Sequence, residues 1–282
     1  MAILIGIMAI SFGSILAKLA QAPSLLTAAY RLTSAVLVMT PFVFYKALLD
    51  FKKLRPRDLG WTVLSGGFLA LHFAAWISSL KYISVSSSVV LVALQPVFVA
   101  LGSWLLLKES IPCKAVLTGS IAMIGTIIIG LGDMQLGREA LWGDFLATAG
   151  ALFAALYWMV GRRVRQNLSV SIYTYLVYGS AAFFLLSLAI VQGLPLFNYL
   201  AGEWLLFLTA GIVPTLGGHS LFNWALAYLP SFVVSVAVLG EAIGATILAF
   251  LLLGEIPTHA QLLGGCFILL GLYLFLKETA RG

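Results

Sequence analysis

Charge is what this sequence has least of. Only 9% of its 282 residues are Asp, Glu, Lys or Arg, while 62% are hydrophobic. A soluble domain of this length exposes several times that share of charge. Cysteine is almost as scarce. The two present, Cys113 and Cys266, have no CxxC spacing, which leaves out a disulfide framework and a cysteine metal site. They read as small apolar filler. No Walker A stretch occurs, so ATP-driven pumping within this chain is excluded. Alternating apolar and polar strands of the β-barrel kind are absent too. Long polar linkers are missing apart from Asp50 to Asp58.

What is present in quantity is the apolar run of about 20 residues, the length that crosses a bilayer as a helix. Ten such runs are expected, at 2–20, 24–46, 60–80, 84–107, 112–131, 141–162, 169–192, 203–227, 231–253 and 257–277. Residues 1 to 20 lack a basic leading segment and read as the first span rather than a signal peptide. Pro23, Pro112, Pro230 and Pro257 stand at expected helix starts. The net charge of +6 does not point to nucleic acid, because the basic residues sit in short loops. With both termini cytoplasmic, twelve Lys and Arg fall at inner ends, against Lys18, Lys81 and Arg138 at outer ends. The positive-inside rule selects that orientation.

The chain also repeats itself. Leu105-Leu106-Leu107-Lys108-Glu109 matches Leu251-Leu252-Leu253-Gly254-Glu255, and Gln95 falls on Glu241. Leu80-Lys81-Tyr82 matches Leu226-Ala227-Tyr228, Lys18 matches Arg163, and Tyr30 matches Tyr175. Omitting Ser110 brings Ile111-Pro112 onto Ile256-Pro257 and Gly119 onto Gly264. Five spans per half is an odd number, so the second half enters the membrane upside down. The expected fold is an all-α membrane protein of ten transmembrane helices in two inverted five-helix repeats around a central cavity. The repeats cover 1–133 and 141–282, with the seam around Asp133 to Ala140. Inverted repeats are a signature of secondary carriers.

Several stretches resemble the EamA-type drug/metabolite transporters. Phe12-Gly13-Ser14 resembles that family's first-helix Trp-Gly region, with Phe for Trp. Ala29-Tyr30-Arg31-Leu32, followed by Pro41, resembles its aromatic-Arg pattern. Ser79-Leu80-Lys81-Tyr82-Ile83-Ser84 resembles the joint before helix four. Leu94-Gln95-Pro96-Val97-Phe98 and Gly240-Glu241-Ala242 resemble its paired Leu-x-Pro motifs. Ala242 stands where the family has Pro, so the ninth span is expected to be less kinked for the loss of that proline. The resemblance implies a cavity lined by helices 1–4 and 6–9, with helices 5 and 10 at the periphery. It implies transport of small organic solutes, often export of amino acids or related metabolites.

The residues themselves nominate a site. Glu241 is a carboxylate near mid-span, where it must face a cavity, be paired or be protonated. It reads as a proton-coupling or amine-binding group, or else as a neutral carboxyl joining two helices. Gln95 is its uncharged repeat mate. Arg31 reads as a substrate contact or as a residue pinning a helix break. His72 and Trp76 share one helix face with Ser79, and His219 and Asn223 repeat that arrangement. They line a cavity or bridge helices. Tyr30 and Tyr175, as repeat mates, are expected in the cavity. Glu109 and Glu255 are expected to cap the helix that follows each, and Gly119, Gly125 and Gly264 to allow close helix approach. No metal, cofactor or catalytic group is expected.

Two other classes find little support in the sequence. Gly130-Leu131-Gly132-Asp133 matches a Gly-x-Gly-Asp protease stretch but lacks the second carboxylate that chemistry needs. Ser65 and His72 stand too far apart on one helix for a hydrolase pair. Charge rings or a carbonyl filter of a channel are not seen. The expectation is therefore a carrier, not an enzyme, working by alternating access, with a facilitator lacking proton coupling as the alternative. Its partners would be a small-molecule substrate and the lipid bilayer, as a monomer or homodimer in a bacterial inner membrane.

Overall fold

The structure is a computed structural model. It describes residues 2–47, 51, 54–107, 117, 120–121, 124–125, 127–129, 131–132 and 137–279. Glu109, Pro112, Cys113, Gly119 and Asp133 lie outside the described residues, as does most of the expected fifth span. The helices are α1 (Ala2–Leu19), α2 (Ser24–Phe42), α3 (Pro56–Ser79), α4 (Val85–Val92) and α5 (Gln95–Leu107). Then come α6 (Arg138–Val164), α7 (Val170–Val191), α8 (Ala201–Ala210), α9 (Ser220–Ala225), α10 (Ser231–Ala237), α11 (Gly240–Leu248) and α12 (His259–Thr279). Wider π-helical turns extend α2 over Val43–Ala47, join α8 to α9 over Gly211–His219, and extend α11 over Ala249–Leu253.

Among the described residues, eight continuous helical stretches are long and apolar enough to cross a membrane. They correspond to the expected first to fourth and sixth to ninth spans. The third begins at Pro56, earlier than expected, because proline suits the first helical turn. Their outer faces carry large apolar side chains such as Leu37, Phe183 and Ile247, as contact with lipid requires.

The fourth span is interrupted at Ala93–Leu94 and the ninth at Val238–Leu239. Pro96 accounts for the first, since it has no N–H and its ring crowds the Val92 carbonyl. The chain tightens instead, with Val97 N–H donating to Leu94 O at 2.9 Å. The second break is a correction to the expectation from Ala242. The ninth span is broken at the matching place without proline. Glu241 N–H donates to Val238 O at 2.8 Å and Ala242 N–H to Leu239 O at 3.1 Å. These three-residue bonds replace the usual four-residue ones, next to Gly240, a weak helix former.

The heaviest packing sets α3 against α6, α2 and α3 against α7, and α1 against both the Gly211–His219 segment and α11. Where the expected fifth span meets α12, a Cβ on Gly125 would stand 2.4 Å from Gly264 O, and one on Gly264 would stand 2.6 Å from Gly125 O. Only glycine permits that approach.

At one end, Lys18 Nζ donates to Leu80 O at 2.6 Å and Ile83 O at 3.0 Å and pairs with Glu255 at 3.6 Å. Glu255 Oε2 accepts from Val85 N–H at 2.8 Å. Glu255 therefore caps α4, not the helix that follows it. Gly254, at φ 69°, turns the chain out of the helix and sends the carboxylate back toward the first half. Arg162 Nη1 donates to Leu226 O at 2.6 Å. Leu80 and Leu226 are repeat mates, so in each half a cation of that half's first helix holds one loop carbonyl.

Candidate functional site

Twelve residues close around one small enclosure in the middle of the helices, Gln95, Glu241, His72, Trp76 and His219 among them. Its free room, measured for the centre of a water-sized sphere, is about 10 Å³. That holds about one water. Gln95 starts α5 and Glu241 is the second residue of α11, so both side chains issue from the two helix breaks. The same repeat offset pairs Val92 with Val238 and Trp76 with Phe222, and these four also line the room. Among the described residues, no hydrogen bond or ion pair holds the Glu241 carboxylate.

The walls are flat rings. His72 stacks on Trp76 with centroids 5.9 Å apart and planes 1° apart. His219 stacks on Trp158 at 6.1 Å and 10°. Phe73 meets His219 edge-on at 5.3 Å. Trp158 Nε1 donates to Gln95 Oε1 at 2.8 Å, which fixes the indole. His72 Nδ1 lies 2.9 Å from Gly150 O. A carbonyl only accepts, so this nitrogen carries the proton.

Arg31 sits behind Trp76, seven residues into α2 and about 10 Å from its start by helical rise. It is 2% exposed. Its guanidinium carbon lies 4.4 Å over the Phe73 ring and 5.7 Å over the Trp76 ring. Nε donates to Thr215 Oγ1 at 2.7 Å. The α2 backbone is close here, since a Cβ on Gly211 would stand 2.8 Å from Arg31 O. Pro214 explains the widened turn: it has no N–H for Ala210 O. Thr215 Oγ1 takes over, donating to Ala210 O at 2.8 Å. One hydroxyl thus repairs the helix and seats the arginine.

Asn223 is fully buried but does not line the room. Its Oδ1 accepts from Tyr157 OH at 2.7 Å, and its Nδ2 donates to Tyr178 OH at 3.2 Å. Tyr30 and Tyr175 do not line it either. Tyr30 OH donates to Leu196 O, and its ring packs with Tyr199, Trp204 and Phe207, in and just after the loop between α7 and α8. Tyr175 contacts Thr40, 3.4 Å between hydroxyls, and the Phe51 ring. The structure brings together Glu241, Gln95, His72, Trp76 and His219, with Arg31 one ring away.

Sequence reasoning gave Trp158 no role in the site and passed over Thr215. A tryptophan among aromatic neighbours looks like an interfacial residue. Pro214 followed by Thr was the available signal for Thr215. Ser65, weighed against His72 for hydrolysis, bonds to Tyr173 OH at 2.7 Å, while His72 faces Gly150. No nucleophile and base meet there. Among the described residues no three His, Cys, Asp or Glu side chains are placed to hold a metal ion.

The EamA-like transporter family pattern matches the chain twice, over residues 1–131 and 141–277. The chain belongs to the EamA-like transporter family. This EamA-like transporter is similar to an uncharacterized transporter of Synechocystis, 28% identical over 216 residues, which covers 72% of this chain and 61% of that protein. An uncharacterized transporter of Clostridium kluyveri is 26% identical over 234 residues, 78% of this chain and 72% of its own. The chain thus spans about three fifths of the first relative and nearly three quarters of the second. A protein known from a crystal structure has the same fold, with a TM-score of 0.71 at 20% identity over 100% of this chain and 99% of that one. The chain is therefore a multi-pass integral membrane protein of a transporter family.

Proposed function

We propose that this chain is a secondary carrier of ten spans in two inverted five-helix repeats, 1–133 and 141–282. It moves small organic metabolites, amino acids or related amines and aromatic compounds, outward by alternating access. The observation that carries this reading is the pairing at the enclosure. Residues matched by the internal repeat, Gln95 with Glu241 and Val92 with Val238, face one room from two matching helix breaks. Broken helices at a repeat interface are where carriers hold cargo. A room for about one water suits a closed stage of a carrier cycle better than an open pore. Flat aromatic walls suit cargo with a flat or apolar part, and Glu241 suits an amine or a coupled proton. The carrier sits in a bacterial inner membrane with both termini cytoplasmic, as the basic residues favour.

The test is radiolabelled counterflow in liposomes loaded with amino acids, amines or nucleosides, with and without a pH gradient. Wild type is expected to exchange one class and to respond to the gradient. Glu241→Gln is expected to keep exchange and lose the response. Exchange indifferent to both would make the protein a facilitator and Glu241 a structural carboxyl. Flux of no class would refute the carrier reading.

A further inference from the structure

A fissure opens on the lipid side of the bundle between α4, α11 and α12. Its free room, measured for the centre of a water-sized sphere, is about 200 Å³. Ser86 and Val90 of α4 form one wall, and Ile247, Leu262, Gly265 and Cys266 stand among the residues opposite. Ile247 and Leu262 are 53% and 52% exposed, so the mouth faces the bilayer. The fissure also joins the two stretches that match the family pattern, with α4 in the first and α11 and α12 in the second. The described part of the expected fifth span meets α12 elsewhere, at Gly264 and Ile268. Cys266, two residues on from Gly264, points to the opposite side of the helix.

Two lining groups are hydroxyls without a partner. Ser86 is 4% exposed, and its Oγ has no hydrogen bond among the described residues. Half-buried Thr246 has none there either. That departs from the other helical threonines. Thr33, Thr40, Thr62, Thr174 and Thr209 each donate to the carbonyl four residues back, at 2.7 to 2.9 Å. In hydrocarbon no water replaces an unmade bond, so a spare hydroxyl costs free energy. The nearby Gln261 is already bonded, with Nε2 donating to Ser87 Oγ at 2.9 Å and Oε1 accepting from Thr258 N–H at 3.0 Å.

The two hydroxyls are level with each other. Ser86 lies one turn from Val90, and Thr246 one turn from Ala242, each on the side away from its own helix break. Both breaks face one enclosure, so equal steps along α4 and α11 reach equal depth. No charged residue is among those lining the fissure. A phosphate or carboxylate therefore has no place inside it. What fits is an apolar chain with neutral acceptor oxygens at one end.

We propose that this fissure seats one diacyl phospholipid. Its ester carbonyls accept from Ser86 and Thr246, its acyl chain fills the space between α11 and α12, and its head group stays at the membrane surface. The seat bridges the two halves and stands independently of the carrier reading above.

The experiment uses the full chain in detergent micelles, stripped of lipid. It is titrated with a diester phosphatidylglycerol, or with the diether analogue of the same chains, which lacks the carbonyls. Native mass spectrometry counts bound lipid, and the melting temperature is followed. Wild type is expected to hold one diester lipid per chain, at least about threefold tighter than the diether, the worth of one modest hydrogen bond between membrane groups. Equal affinity for the two lipids overturns the proposal, and a lipid-free dimer gives the face to a second copy instead. Ser86→Ala combined with Thr246→Val is expected to keep the fold and to bring the two lipids to equal affinity. A lowered melting temperature with an unchanged ester-to-ether ratio would make the hydroxyls structural and overturn the seat. Gly265→Leu fills the fissure from α12, where a Cβ meets Val90 at an ordinary 3.8 Å. It is expected to melt no lower than stripped wild type and to lose the bound lipid. The same lipid count as wild type overturns the proposal.

Discussion

Removing the Gln95 side-chain amide and the Trp158 indole together should cost less than the sum of the two changes made singly. Gln95 and Trp158 are 3% and 2% exposed, and their hydrogen bond of 2.8 Å joins α5 to α6. Gln95→Leu keeps about the same volume but leaves the indole N–H buried and unbonded, a cost of about 1–3 kcal/mol. Trp158→Phe leaves the amide oxygen in the same position and adds lost packing, about 1–3 kcal/mol more than an isosteric change. In the double variant neither group is stranded. The two losses should therefore fail to add by about 0.6–1.7 kcal/mol, the range of side-chain bonds between membrane helices. The assay is reversible unfolding in mixed micelles by added denaturing detergent, read by tryptophan fluorescence and far-UV circular dichroism, for all four proteins. Losses that add within about 0.3 kcal/mol would refute the coupling. The bond would then be replaced by water whenever it opens, and Trp158 would be held by its rings alone.

Three further outcomes are expected. Gly264→Leu should lower the melting temperature sharply, because a Cβ there meets Gly125 O at 2.6 Å; overpacking of this kind costs about 1–3 kcal/mol, and an unchanged melting curve would show that the helices separate freely. Glu203→Leu should destabilise by about 1–3 kcal/mol, since Glu203 accepts from the Gln21 and Ala22 N–H groups at 2.9 and 3.4 Å; Glu203→Gln should recover part of it, and equal losses for both would refute the bonding account. The Tyr199 phenol, in the loop before α8, is raised from its usual range by burial and then by the Glu203 carboxylate. A raised acid contributes stability that is whole below about pH 10 and fades as pH rises through its folded value. Tyr199→Phe should flatten that alkaline limb, and an identical limb in both proteins would exclude Tyr199 as its source.

Eight of the expected spans were legible because a bilayer asks for about 20 apolar residues and little else. The meeting of Gln95 with Glu241 was legible as well, since a repeat places equivalent positions at equivalent depth. Depth is not direction, however. Tyr30 and Tyr175 are equivalent, yet each packs at its own end of the bundle, away from the enclosure. Helices apolar all round carry little record of which face turns inward. The break at Val238–Leu239 had no proline to announce it, and it rests on backbone bonds that no side chain encodes. Thr215 was hidden differently. Its role depends on a carbonyl freed by Pro214 and on an arginine 184 positions away.

The α4 cap has a consequence for biogenesis. The Val85 N–H is bonded by a carboxylate 170 residues further along the chain. At about 5–20 residues per second, that carboxylate leaves the ribosome on the order of 10 s after Val85. During this interval the first four described spans are in the bilayer with one helix start unfinished. α4 therefore waits for the turn that precedes α12 before its start is satisfied. Two separately expressed halves should each be short-lived in the cell, and each should outlive that fate only when made together.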